Sequence, residues 1–199
     1  MTRWGIRTDP VAPGTGGPAG NARLTAWTGL VLLVLFLAEL VSVFDIEGLI
    51  DWHVAVGVLL VPPVLLKTAT TGWRVVRYYT NQPAYRRAGP PPMPLRVLGP
   101  LVVLFTLALL GSGFVLVAVD SPLVTVAGLH VDALLVHKIA TGGWSVVTLL
   151  HLLGRLTPAL RTVRAATPVP GRMPRIAVLS LTLTVAILMT ALVPHALAP

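Results

Sequence analysis

Five apolar runs, at about residues 25–44, 52–70, 97–118, 133–154 and 176–194, leave this chain few ways to fold. Each holds roughly the ~20 residues that a helix needs to cross a bilayer core. No water is present there to satisfy backbone N–H and C=O groups, so each run must satisfy its own, as a helix does. The expected fold is therefore an all-α integral membrane domain over residues 23–199, with five transmembrane helices and a four-helix core bundle. Composition agrees: 11% of the residues are charged and 55% hydrophobic, where a soluble domain averages about 25% charged.

The polar connections alternate in sign. Arg3, Arg7 and Arg23 precede the first run; Arg74, Arg77, Arg86, Arg87 and Arg96 lie between the second and third; Arg155, Arg161, Arg164, Arg172 and Arg175 lie between the fourth and fifth. The other connections carry Asp45, Glu47, Asp51, Asp120 and Asp132, with Lys138 as their nearby base. Basic connections stay in the cytoplasm, so the expected topology in the inner (plasma) membrane has the N-terminus in and the C-terminus out. The formal charge of +8 is then a consequence of topology, and the environment it implies is a lipid bilayer and not nucleic acid.

Residues 1–22, rich in Gly and Pro, are expected to form a disordered cytoplasmic tail and do not read as a signal peptide. The connection from Thr80 to Pro100 holds Pro83, Pro90, Pro91, Pro92 and Pro94 and is expected to run extended along the inner surface. Trp73, Tyr78 and Tyr79 mark the interface at the inner end of the second helix. Pro62-Pro63 removes backbone donors within that helix and predicts a kink.

Cysteine is absent, which excludes disulfides, thiolate metal sites, iron–sulfur ligation and covalent c-type haem attachment. Any metal or haem has to be held by His, Met, Lys or oxygen. His137 and His151 are fourteen residues apart, and so are His53 and Lys67. That spacing is about four helical turns, or ~21 Å, and returns to nearly the same face. Both segments run from outside to inside, so His53 and His137 share an outer layer, while Lys67 and His151 share an inner one. Two neutral imidazoles on opposite sides of an iron, in an apolar pocket lined by small residues, are the donor set for a b-type haem. Gly57, Gly111, Gly113, Gly142 and Gly143 either admit a planar macrocycle or let helices pack closely.

Ionisable groups inside a span are functional candidates by default, which favours His137 and His151. His53, two residues beyond Asp51, is either a ligand or an interfacial histidine. Lys67 must lose a proton to bind iron; snorkelling to the inner interface is the simpler reading, and a propionate or quinone contact is a further one. His130 and His195 read as interfacial, with His130 a substitute ligand and a third member of an alternative His53, His130, His137 transition-metal site. Glu39 is a candidate proton-relay or ligand-polarising group, and Lys138 a candidate propionate contact.

His53, His137 and His151, with Gly142-Gly143 between the last two, resemble the bacterial b-type cytochrome membrane subunits, within the wider group of respiratory cytochrome b, the ferric-reductase transmembrane domain and the di-haem reductases. The resemblance covers roughly residues 50–155. In that group paired histidines on two helices of a four-helix core bind two b haems and pass electrons across the membrane. The stretch TGWRVVRYYTNQPAYRRAGPPP is similar to a loop of actinobacterial membrane proteins of this kind, some of which accompany molybdopterin oxidoreductases. Lys67 stands where the family pattern has histidine, so the resemblance implies one or two b haems. It implies an electron-transfer subunit serving an extracytoplasmic redox protein of the molybdopterin oxidoreductase type and the quinone pool, with substrate chemistry on the partner. The competing expectation is a haem-free membrane anchor or small transporter-like protein whose histidines are structural.

Overall fold

The computed structural model describes residues 10–119 and 121–197, with side chains to residue 192. The elements in chain order are α1 (Gly17–Val43), α2 (Ile50–Tyr79), α3 (Pro83–Ala88), α4 (Met93–Ala118), β1 (Leu123–Val126), β2 (Leu129–Asp132), α5 (Ala133–Arg164) and α6 (Arg172–Leu197). Helices α1, α2, α4, α5 and α6 correspond to the five apolar runs, and all five are long and apolar enough to span a membrane. Large apolar side chains such as Leu104, Phe114, Leu153 and Leu181 face outward along them. Lipid is the solvent for such a surface, and the chain is a multi-pass membrane protein.

The helices are longer than hydropathy alone predicts, and the excess carries arginine. α2 continues past residue 70 through Arg74 and Arg77, and α5 past residue 154 through Arg161 and Arg164. Arginine is a good helix former and its charge suits a helix C-terminus, so the backbone stays helical beyond the apolar stretch. α2 also passes through Pro62 and Pro63 as one α-helix, with Pro63 buried.

Three expectations for the connections are corrected. First, α1 begins at Gly17, eight residues before residue 25, with a proline in its first turn. The preceding turn is held down: Arg175 Nη1 donates to the carbonyls of Thr15 (3.2 Å) and Pro170 (2.7 Å), and its Nη2 to Val169 (2.9 Å). Arg23 Nη2 similarly donates to the carbonyls of Ala165 (2.8 Å) and Thr167 (2.5 Å). Residues 10–22 are therefore built into the fold, whereas the rest of the expected tail, with Arg3 and Arg7, lies outside the described residues. Second, the segment expected to be extended contains α3, and α4 starts at Met93, because Pro83 and Pro94 occupy first-turn positions where no N–H is needed.

Third, the connection between α4 and α5 in this mostly helical fold carries two short strands. β1 and β2 form an antiparallel hairpin between α4 and α5, in the register Val124↔Val131 and Thr125↔His130. Its two-residue turn, Ala127-Gly128, has φ of 50° and 82°, the double positive φ of a type I′ turn. Asp132 then closes the hairpin and caps α5, its Oδ1 accepting from the Leu135 N–H at 3.0 Å.

α1 packs on both α2 and α5, as α4 does, and α2 and α5 lie diagonally across that contact pattern. α6 lies against α2. The core between them is Leu32, Val56, Leu60 and Val64, with Leu35, Phe36, Ala38 and Leu110 packed around it.

Candidate functional site

At one end of this core, two histidines from the diagonal helices come together. His53 sits in the first turn of α2, its backbone N–H bonded to the Leu49 carbonyl at 2.8 Å. His137 sits in the second turn of α5, at a depth set by the Asp132 cap. Their ring centroids are 6.1 Å apart and their planes meet at 78°.

Each ring is held by a serine of a neighbouring helix. Ser42 Oγ, on α1, lies 2.8 Å from His53 Nδ1, and Ser112 Oγ, on α4, lies 3.0 Å from His137 Nδ1. Both hydroxyls already spend their single proton inside their own helix, Ser42 on the Glu39 carbonyl at 2.6 Å and Ser112 on the Ala108 carbonyl at 2.7 Å. Their oxygens can then only accept from the rings. We assign the proton of each neutral imidazole to Nδ1 on this basis, which leaves the lone pair on Nε2. A ring oriented through one nitrogen with the other free to ligate is the arrangement found around metal-binding histidines.

Glu39, one turn before Ser42, brings a carboxylate to the same place. Its Oε1 lies 3.1 Å from His53 Nδ1, and the two side chains keep 14% and 18% of their exposure respectively. Its Oε2 is buried without a hydrogen-bond partner. Gly57 lies next to Oε1, where an added Cβ would sit 3.8 Å away. Gly113 matters more: a Cβ there would come within 3.3 Å of His137 Cε1.

A narrow cleft opens beside the pair. Its open space is about 40 Å³. Phe36, Leu60, Val64, Leu109 and Leu110 wall it, with Thr106 and Trp144 deeper in. Trp144 is buried, donates through Nε1 to Thr106 Oγ1 at 3.0 Å and stacks on Phe36 at 4.6 Å between centroids. Its walls are apolar, so a ligand with a large apolar face suits it.

The layer of Lys67 and His151 is built differently. Lys67 Nζ donates to the Thr25 carbonyl of α1 at 2.6 Å, and Asn21 Nδ2 donates to the Thr70 carbonyl at 2.9 Å. Lys67 is thus latched onto α1 and does not snorkel outward. Gly29 makes this reach possible, because a Cβ at that position would stand 2.6 Å from Nζ. The His151 ring feels the charges of Lys67 and Arg155, and its Nδ1 is buried without a partner, as is Thr148 Oγ1 one turn earlier. No second ring faces it among the described residues.

The remaining candidates stand apart. His130 is not on α5 but on the exposed strand β2, where its Nδ1 meets Thr125 Oγ1 at 3.2 Å. It does not join the pair, and among the described residues no three His, Cys, Asp or Glu side chains come close enough to hold a metal ion. The expected His53, His130, His137 cluster is thus not assembled among the described residues. Lys138 is exposed and does not line the cleft. His195 lies where only the backbone is described. Of the glycines expected to admit a macrocycle, Gly111 and Gly142 have open space beside them, while Gly143 is covered by the Phe105 ring and serves helix packing.

Ser42 and Ser112 were not singled out from the sequence. Their signal was there: each is the one serine of its apolar run. No family model, curated protein or solved structure matches the chain. The site itself has to carry the functional reading.

Proposed function

We propose that this chain is a membrane b-type cytochrome that carries electrons through one haem b held between His53 and His137. The observation that carries the reading is the facing pair of Nδ1–H imidazoles, 6.1 Å apart, in a cleft walled by apolar side chains. His53 and His137 would hold the haem through one imidazole nitrogen each, whereas a bare ion would need three or more side chains. The cleft is a slot and not a chamber, so a flat group is the shape it admits with least displacement of its walls. When bound, haem supplies a one-electron carrier.

The chain's own residues do the rest. Ser42, Ser112 and Glu39 fix the ring orientations; Phe36, Leu60 and Val64 exclude water; Gly113 leaves His137 room. In this reading α1, α2, α4 and α5 are the four-helix core and α6 packs outside it. The arginines of α2, α3 and α5 gather at the end away from the pair, and Asp45, Glu47, Asp51 and Asp132 at its own end. This supports a cytoplasmic N-terminus, with the pair toward the extracytoplasmic face and a redox protein docking there. Quinone and a partner of the molybdopterin oxidoreductase type belong to this proposal through the family resemblance alone.

The slenderness of the cleft favours a second reading, in which the histidines are structural and the chain is a haem-free anchor or small transporter-like unit. One measurement separates them: the visible spectrum of protein purified from haem-sufficient cells, oxidised and then dithionite-reduced. A reduced α-band of b type and a Soret band are expected. Colourless protein would sink the cytochrome reading.

A further inference from the structure

We propose that Lys67, His151 and Arg155 hold the phosphate of an anionic phospholipid between α2 and α5, at the end of the bundle opposite the His53–His137 pair. The inference stands apart from the cytochrome reading and uses none of its residues. Thr148, His151 and Arg155 follow one another at i, i+3 and i+7, so they lie along one face of α5. Thr148 Oγ1 and His151 Nδ1 are both buried and both lack a hydrogen-bond partner. Arg155, one turn further on, is exposed. Lys67 comes to the same place from α2. The His151 ring feels its charge together with that of Arg155, and Lys67 in turn feels Arg155. Lys67 Nζ spends one hydrogen on the Thr25 carbonyl at 2.6 Å, and an ammonium group has two more to give.

Among the described residues no acid shares this end of the bundle. Glu39, Asp45, Glu47, Asp51 and Asp132 all lie toward the His53–His137 pair. Asp132 caps the start of α5, and about 35 Å of helix separates it from Arg155. The arginine is charged at any working pH. Charge drawn into an apolar span needs a partner, and here the partner has to come from outside these helices. The abundant anion at a bilayer surface is the lipid phosphate, and basic recesses between transmembrane helices bind lipid headgroups. The donors suit it. A guanidinium fork, an ammonium group and an imidazole N–H all give hydrogen bonds, and phosphodiester oxygens only accept them. A zwitterionic lipid brings a cation of its own beside the phosphate, which a site already holding Lys67 and Arg155 disfavours.

The test follows thermal unfolding of the full chain, freed of lipid in a neutral detergent, against added phosphatidylglycerol, phosphatidylcholine or inorganic phosphate. Phosphatidylglycerol is expected to stabilise the wild type saturably, and the other two are not. Lys67→Met and Arg155→Gln should each raise the phosphatidylglycerol concentration needed for half the effect by about tenfold, the loss of one charge-assisted contact. Arg87→Gln, exposed on α3 at the same basic end, should respond as the wild type does. An equal response in all four proteins would overturn the proposal, because general attraction to the arginines would then account for it. No response in the wild type would overturn it too. Stabilisation by inorganic phosphate as strong as by the lipid would replace the lipid site with one for a free oxyanion. Should Lys67→Met fail to fold, Arg155→Gln decides, with native mass spectrometry counting bound phosphatidylglycerol. One lipid per chain, lost in that variant, supports the site, and its retention overturns it. None of these readouts uses the visible spectrum, so this proposal and the cytochrome reading fail separately.

Discussion

His53 and His137, on helices that are not direct neighbours, face each other across the core with ring centroids 6.1 Å apart. The partner of each ring is a serine whose proton is already committed to its own helix, so both rings carry their proton on Nδ1 and keep the Nε2 lone pair. Four helices take part in aligning two side chains, and this shared support makes the pair the best-built polar feature within the spans.

Replacing either ring should remove the centre. His53→Ala and His137→Ala are each expected to abolish the reduced α-band, while His151→Ala leaves its amplitude unchanged. Haem content per protein, measured alongside circular dichroism to verify folding, checks this. A full α-band in His53→Ala would show that the pair is not the ligand set.

Ser42→Ala and Ser112→Ala keep the ligands and release the rings. Partners of this kind are worth about 10–100-fold in affinity, so each variant should bind hemin weaker by that order while keeping the shape of its spectrum. Competition titration against a haem-binding protein would read the change. Unaltered affinity in both would remove the assigned proton positions from the argument.

Lys67 donates to the Thr25 carbonyl and stands in the inner layer. Lys67→Met keeps the length and loses one hydrogen bond, a change of about 1 kcal/mol. The visible spectrum should not move, and thermal unfolding in detergent should shift only slightly. Loss of the α-band in this variant would place an axial ligand in the inner layer after all.

Arg175 is buried and ties the turn before α1 to the segment leading into α6. Arg175→Met abandons three carbonyl contacts, and partner loss at a buried site costs about 1–3 kcal/mol. Limited proteolysis should then cut within residues 10–16 faster than in the intact protein. Equal cleavage rates in the two proteins would refute the clasp.

Much of this architecture was legible in the chain itself, for local reasons. A bilayer demands about 20 apolar residues per crossing whatever surrounds them, so the five spans could be read from the sequence, as could the depths of His53, His137, Lys67 and His151 along their helices. The hairpin was legible too, in Val124-Thr125-Val126 and His130-Val131 flanking Ala127-Gly128, but a run of such length between two spans was read as loop and helix end. The cap at Asp132 and the prolines of the first turns act within a few residues, and they too leave a local trace.

Which side chains meet was decided only in three dimensions. A fourteen-residue spacing sets depth and face within one helix; it says nothing of the helix opposite. Packing of α1 against α2 brings Thr25 to Lys67 and Glu39 with Ser42 to His53, and packing of α4 against α5 brings Ser112 to His137. The two layers, equal by spacing, thereby became unequal: one acquired a matched pair of oriented imidazoles, while the other kept a latched amine and a histidine ring with no partner for its Nδ1 among the described residues. Depth is a property of one helix, whereas partnership depends on how helices pack, and that is why only the tertiary structure could distinguish them.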